Sequence, residues 1–214
     1  MDLGNIDFYV IFDMFLLLLI GMGPKIALVP FLDLTKDMDG EMKTKIANRM
    51  VQTGVTTALI LVILGGFLMK LLHFTPGAVN IAGGIVLLLL ALHMLVSPGK
   101  TDHDEDAKDR DPMQMAVYPL AVPYMLNPAG IAALVILSGD ITSLLMGAIV
   151  IAVALFVGAI DFAVFRNMDK LSKHLEPSRL VVTEVVFGVL LAALAVQLIV
   201  DGLAELGVFT VAAH

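Results

Sequence analysis

The sequence predicts an all-α membrane protein of six transmembrane helices, arranged as two inverted three-helix repeats with broken helices 1 and 4. Three observations predict this fold class. The chain is 59% hydrophobic and only 15% charged, whereas soluble domains average about 25% charged residues. Its two halves match each other at one constant offset, and clusters of Gly and Pro interrupt the first and fourth apolar segments.

Six apolar segments are long enough to cross a bilayer, because a transmembrane helix needs roughly 20 mostly apolar residues. They cover residues 8–34, 48–71, 77–96, 114–138, 142–165 and 180–203. Since Asp2 and Asp7 are the only charges before the first segment, we expect that helix to be retained and not cleaved as a signal peptide. The absence of Cys excludes disulfides and Cys-based metal sites.

The distribution of positive charge predicts the orientation. Eleven of the 13 Lys and Arg residues lie in or beside the first, third and fifth loops. The positive-inside rule then places these loops in the cytoplasm and both termini outside it, in a multi-pass protein of the cell (inner) membrane. The net charge of −7 comes mostly from the acidic third loop and gives no sign of nucleic-acid binding.

The third loop, residues 97–112, separates a first repeat (1–96) from a second (113–214). Three pairs of Gly or Pro coincide at an offset of 104: Pro24 with Pro128, Gly54 with Gly158, and Gly84 with Gly188. Because each half holds three helices, an odd number, the halves must cross the membrane in opposite directions. Inverted repeats with interrupted helices are typical of secondary transporters, whose solute site lies at the repeat interface.

The two interruptions, "GMGPK" and "MLNPAG", predict the solute site. A proline inside a helix costs about 3 kcal/mol or more, and the freed backbone groups are tolerated only inside protein or along a wet cavity. Half-helix N-termini attract anions and C-termini attract cations, which suits a zwitterion. The predicted substrate-binding residues are Gly23, Pro24, Lys25, Asn127, Pro128, Ala129 and Gly130. Alternatively, the prolines only kink helices for packing.

Lys25 lies within the first apolar segment. Burying its ammonium group near mid-membrane costs at least about 2.5–3.5 kcal/mol. We therefore expect it to face the bundle interior with a partner, such as freed carbonyls or a substrate carboxylate. The alternative is that its long side chain extends to the membrane surface.

Two carboxylates lie about one helical turn inside the cytoplasmic ends of helices 5 and 6. Asp161 and Glu184 are ion-coupling candidates, exchanging protons or holding Na⁺, although they could equally pair with Arg166 and Arg179. Further polar residues within the spans could line a pathway or form interhelical hydrogen bonds: Asn80, His93, Gln197, Thr56 and Thr57. The acidic loop lacks rigid ligand spacing, so we expect a solvated linker, no metal and no cofactor.

Four segments together resemble the MarC family of six-helix membrane proteins, also called the neutral amino acid transporter family. They are "GPKIALVPFLDLTKDMD", "PGAVNIAGGIVLLLLALHML", "VYPLAVPYMLNPAGIAALVI" and "FGVLLAALAVQLIVDGL". The resemblance implies small neutral amino acids, such as glycine or alanine, as substrates. Gly23 stands where the family usually has Asn, Asn127 where it usually has Gly, and Lys25 where an apolar residue is common.

The sequence thus predicts a transporter of a small neutral or zwitterionic solute that works by alternating access, with H⁺ or Na⁺ as a possible coupling ion and a homo-oligomer possible. The alternative is a passive channel or a non-transporting membrane scaffold. An intramembrane enzyme using Asp161 and Glu184 is disfavoured, since no Ser, Cys or His motif accompanies them. We therefore expect no enzymatic activity.

Overall fold

The structure is a computed structural model that describes residues 8–96, 111–168 and 177–208. Within these ranges all regular secondary structure is helical. The elements are α1 (Phe8–Met22), α2 (Pro24–Thr35), α3 (Gly40–Leu72), α4 (Pro76–Val96), α5 (Pro112–Met115), a π-helical segment (Ala116–Met125), α6 (Pro128–Gly139), α7 (Leu144–Arg166) and α8 (Pro177–Glu205). The predicted linker, 97–112, lies outside the described residues except at its last two positions.

The described part of the chain holds five stretches that are long and apolar enough to cross a membrane. The count rises to six if α5, the π-helical segment and α6 together form one span. The all-helical, multi-pass membrane architecture predicted from composition is therefore confirmed at this level.

The first span, Phe8–Thr35, passes from α1 to α2 at Gly23. Gly23 is extended (φ −87°, ψ 169°) and Pro24 is the first residue of α2. Proline suits this position because the N–H it lacks would have no helical partner there. Pro30, which the sequence grouped with the interruption, lies inside α2 without ending it.

The helix α3 is the longest of the described elements, with 33 residues. At ~1.5 Å per residue it measures about 50 Å, whereas the hydrocarbon core of a bilayer is about 30 Å thick. It begins at Gly40, before the predicted span 48–71, because the Asp39 side chain accepts a hydrogen bond from the Met42 N–H at 2.7 Å and caps it. The hydropathy pattern located only the apolar part of this helix.

The second interruption lies within the predicted segment 114–138. The stretch Pro112–Met125 meets α6 at an angle of 71°. Within the π-helical segment, Tyr118 and Val122 have extended backbone conformations. Asn127, also extended (φ −81°, ψ 167°), precedes α6, which begins at Pro128.

The helices α4 and α8 pack antiparallel through glycines. A Cβ atom added to Gly84 would lie 2.7 Å from the Ala195 carbonyl oxygen, and one added to Gly188 would lie 3.4 Å from that of Ala91. Small residues allow such close backbone approach between membrane helices.

The helix α3 runs in the same direction as the π-helical segment and α6. Gly54 packs against the Met125 side chain, and a Cβ atom at Gly65 would lie 2.9 Å from the Cα of Val135. Further along, the Ser138 hydroxyl accepts a hydrogen bond from the Gly66 N–H and donates one to the Val62 carbonyl, each at 2.8 Å. This polar link fixes α6 against α3.

Candidate functional site

The two interrupted helices touch each other, and Asn127 makes the contact. Its side chain is fully buried. The Nδ2 group donates to the Ile20 carbonyl at 2.8 Å, and the backbone N–H donates to the Gly21 carbonyl at 2.9 Å. Its Oδ1 atom accepts from the Gly130 N–H at 3.0 Å and so caps α6. One residue thus joins the start of α6 to the end of α1.

The carbonyls that Asn127 satisfies are those that the first interruption leaves free. In an α-helix the carbonyl of residue i accepts from the N–H of residue i+4. For Ile20 that residue is Pro24, which has no N–H. For Gly21 it is Lys25, which lies beyond the extended Gly23. The second interruption therefore supplies the hydrogen bonds that the first one removes.

Close backbone contact accompanies these hydrogen bonds. A Cβ atom added to Gly21 would overlap the Cα of Gly130, and one added to Gly130 would overlap the carbonyl oxygen of Gly21. Gly21 was not among the predicted site residues, whereas Gly130 was. The sequence feature that could have identified Gly21 as a site residue is its position in "GMGPK", two residues before the Gly23–Pro24 pair.

The two half-helix N-termini differ in their capping. The α6 end uses the Asn127 side chain, whereas the α2 end begins after Gly23 and has no side-chain cap. Its first N–H groups, those of Lys25 and Ile26, therefore lack a side-chain acceptor at the cap position. Of the two interruptions, α2 presents the N-terminus better able to receive an anionic group.

Lys25 is exposed in the structure, although the sequence favoured an interior orientation. No ion pair or hydrogen bond of its side chain is found within the described ranges. It follows Pro24 on the outer face of α2, whereas its neighbours Ile26 and Ala27 are buried. Exposure fits the alternative in which the side chain extends to the membrane surface, and a role in solute binding stays a prediction.

Asp161 is fully buried in α7, and both of its carboxylate oxygens lack a hydrogen-bond partner within the described structure. The predicted alternative of pairing with Arg166 is not observed, because that guanidinium lies over the Phe162 ring, 5.5 Å from its centroid. Glu184 lies in α8. The structure describes neither its side chain nor that of Arg179.

The other polar residues of the spans form mostly local hydrogen bonds. Asn80 donates to Glu205 at 3.3 Å and thereby links α4 to α8. Gln197 donates to Asp201 at 2.7 Å within α8, and the Thr57 hydroxyl donates to the Thr53 carbonyl at 2.9 Å within α3. The expectation of interhelical hydrogen bonds is confirmed for Asn80 and is wrong for Gln197 and Thr57, which bond within their own helices.

Two adjoining cavities flank Arg49 on α3. One, of about 400 Å³, is lined by Arg49, Gln52, Thr53, Thr56 and Thr57. The other, of about 530 Å³, is lined by Arg49, Met113, Gln114, Val117 and Tyr118. Of the lining residues, only Thr56 and Thr57 were predicted from the sequence as pathway residues. The signal was present in the spacing of three and four residues, which places all five α3 residues on one side of the helix.

No group of three or more His, Asp or Glu residues that could hold a metal ion occurs in the part of the chain that the structure describes. The acidic loop considered for such a role lies outside it.

The helices and the contact between their interruptions define a class of protein: a multi-pass, all-helical integral membrane protein with interrupted segments. A family model described as "MarC family integral membrane protein" matches residues 8–207. The chain belongs to the MarC family, as the sequence motifs indicated.

Relatives of similar length support this assignment. A "UPF0056 membrane protein" of Archaeoglobus fulgidus is 27% identical over 206 residues, covering 94% of this chain and 95% of that protein. A protein of the same description from Aquifex aeolicus is 30% identical over 148 residues, covering 66% and 68%. The "UPF0056 inner membrane protein YhgN" of Escherichia coli is 25% identical over 187 residues, covering 87% and 92%. No solved structure matches.

Proposed function

We propose that this protein is an inner-membrane transporter of a small neutral or zwitterionic solute, such as glycine or alanine, and that it works by alternating access. The observation that carries the proposal is the contact between the two interruptions. There the uncapped N-terminus of α2 and the freed carbonyls at the end of α1 lie on either side of Gly23. A carboxylate suits the uncapped N-terminus, and an ammonium suits the two carbonyls, because each accepts one hydrogen bond from Asn127 and keeps a second lone pair.

An inverted repeat supports alternating access, and the element boundaries support the repeat. Helices α2 and α6 both have 12 residues and begin at Pro24 and Pro128, which coincide at the offset of 104. The residues that precede them, Gly23 and Asn127, have nearly the same backbone angles. Two glycine contacts between α4 and α8, Gly84 with Ala195 and Gly188 with Ala91, also exchange with each other at this offset.

Ion coupling is assigned to Asp161, with Glu184 as the second candidate. A buried carboxylate without hydrogen-bond partners is costly unless a proton or a cation neutralises it. Asp161 meets this description within the described residues. Binding and release of H⁺ or Na⁺ at this position would therefore accompany a change in its surroundings, as a coupled cycle requires.

The test is counterflow of labelled glycine and alanine in proteoliposomes. We expect saturable exchange, and we expect Lys25→Ala to weaken it if this side chain contacts the substrate carboxylate. Lys70→Ala is the matched control, because Lys70 lies in the last turn of α3 and away from both interruptions. Exchange that is unaffected by Lys25→Ala would remove Lys25 from the site and retain the transporter.

The alternative from another class is a passive channel or a non-transporting scaffold. A channel would show flux that does not saturate and no counterflow. A scaffold would show no flux of any solute. Either result would overturn the proposed function and leave the fold and family unchanged.

A further inference from the structure

The side of α3 that carries Arg49 changes abruptly from polar to apolar along the helix. The polar stripe consists of Arg49, Gln52, Thr53, Thr56 and Thr57. One turn further on, Ile60 and Ile63 continue the same side, and they are 49% and 66% exposed. An exposed apolar surface of this kind fits contact with lipid. The polar side chains of the stripe do not fit such contact.

The stripe extends into the hydrocarbon core. Lys70 in the last turn of α3 marks the opposite membrane surface. Thr56 lies 14 residues before it, a distance of about 21 Å along the helix. Since the hydrocarbon core is about 30 Å thick, Thr56 lies inside it. Polar side chains at that depth face either protein or a water-filled cavity.

The stripe ends level with the second interruption. Gly54 packs against Met125, and Gly65 lies beside Val135. Because the two elements run in the same direction, the junction of Asn127 and Pro128 lies at the depth of Thr56 and Thr57 along α3. The polar surface therefore leads from the loop at 36–39 to the depth of the interruptions.

Arg49 lies at the outer end of this stripe and borders both cavities. Its side chain is exposed and forms no ion pair or hydrogen bond with the residues that the structure describes. A guanidinium group with free donors binds a carboxylate in a bidentate manner. It is thus the group at this entrance best suited to attract the carboxylate of a zwitterion.

We propose that the Arg49–Thr57 stripe lines a water-filled entrance that runs from the side of the 36–39 loop to the depth of the interrupted helices, and that Arg49 attracts the substrate carboxylate at its mouth. The positive-inside rule makes this the cytoplasmic side. The role of Arg49 rests on the proposed transport function, whereas the entrance does not depend on it.

The chain has no Cys, so single cysteines can report on water access. Gln52→Cys, Thr53→Cys and Thr56→Cys are compared with Ile60→Cys and Ile63→Cys, on the same side of the same helix. A membrane-impermeant thiol reagent is added to vesicles of each orientation. We expect the first three to react at least about tenfold faster than the Ile controls, from one side only, because the thiolate forms where water reaches the sulfur.

Failure of the entrance is separable from failure of the transporter. If Thr53→Cys and Thr56→Cys react as slowly as Ile63→Cys, lipid or a second copy covers the stripe and the entrance is wrong, whatever the transport result. If they react but no solute shows counterflow, the entrance stands, and the proposed function and the role of Arg49 are wrong.

The role of Arg49 is tested by kinetics. Arg49→Gln is expected to raise KM for the solute on the loop side about tenfold with little change in kcat, since a charged hydrogen bond is lost. Arg49→Lys should restore part of the affinity. Arg166→Gln is the control, because it removes an exposed charge at the end of α7. An equal rise in KM in this control would show a general effect of surface charge and overturn the assignment.

Discussion

The backbone N–H of Asn127 donates to the carbonyl oxygen of Gly21 at 2.9 Å. This bond connects the interruptions that precede α2 and α6, each of which has a residue with extended backbone just before the first proline of the helix. The interruptions therefore form one structural unit, and substitutions in it test that unit directly.

Asn127→Ala is expected to destabilise the protein by about 1.5–5 kcal/mol. The change removes the cap on the Gly130 N–H, worth about 0.5–2 kcal/mol, and leaves the Ile20 carbonyl unsatisfied, at about 1–3 kcal/mol. Thermal unfolding in detergent measures the effect. The matched control is Asn167→Ala, since that side chain also donates to a carbonyl, that of Ala163, but is exposed; it should cost under about 1 kcal/mol. Equal losses would contradict the structural unit.

Gly21→Ala and Gly130→Ala are each expected to prevent close contact of the two interruptions. The new Cβ atom would overlap backbone atoms, which cannot move aside as a flexible side chain can. Loss of monodisperse protein in size-exclusion chromatography, or a large fall in the unfolding temperature, is the expected result. Gly147→Ala is the control, because its Cβ atom would meet only Ile141 at 3.5 Å. Gly147→Ala should not lower the unfolding temperature, because alanine stabilises a helix relative to glycine by up to about 1 kcal/mol.

Gly84→Ala is expected to destabilise the α4–α8 pair more than Gly188→Ala, although the two positions coincide in the repeat. A Cβ atom at Gly84 would lie 2.7 Å from a carbonyl oxygen, whereas the nearest atoms to one at Gly188 belong to the Leu95 side chain at 3.0 Å. A side chain can adjust and a backbone carbonyl cannot. Comparison of unfolding temperatures of the two variants decides the matter, and the reverse order would contradict the packing described.

Asp161→Val is expected to raise the unfolding temperature. Both oxygens of Asp161 are buried without hydrogen-bond partners among the described residues, and such groups cost about 1–3 kcal/mol each. An apolar side chain of similar size removes that cost. Asp140→Val is the control, because Asp140 is exposed and changes there usually stay within about 0.5 kcal/mol. A fall in stability for Asp161→Val would indicate a partner outside the described ranges.

Asp161→Asn separates coupling from solute binding. The amide keeps the shape of the side chain but cannot release a proton or neutralise Na⁺. We expect uptake driven by an ion gradient to be lost, while counterflow of the solute continues. Flux is measured with a pH gradient and then with a Na⁺ gradient, which also identifies the ion. Unchanged gradient-driven uptake would remove Asp161 from the coupling mechanism.

The sequence predicted much of the architecture because bilayer thickness and backbone hydrogen bonding constrain it strongly. The spans follow from apolar length, and the interruptions follow from Pro24 and Pro128. The start of α3 was missed, since the Asp39 cap and the polar residues after it extend the helix without adding hydropathy. The bend before α6 was predicted only as a break, because no residue pattern specifies its angle.

The partners within the site could not be predicted in the same way. Pairing of Asn127 with Ile20 and Gly21 depends on how the two halves meet, which apolar sequence does not encode. The exposure of Lys25 was predicted only as the alternative, because the cost of burying an ammonium group does not say which side of a short helix faces inward. Of the polar stripe of α3, only Thr56 and Thr57 were predicted as pathway residues, since Arg49 was counted with the positive charges in or beside the loops.

The Ser138 hydroxyl has a consequence for movement. It holds the far end of α6 to Val62 and Gly66 of α3, while Asn127 holds the near end to α1. With both ends bound to different helices, α6 cannot swing alone as a gate. Any rearrangement that separates the interruptions must either move α1, α3 and α6 together as one rigid body or break the hydrogen bonds at one end of α6. In the second case α6 rotates about the end that stays bonded.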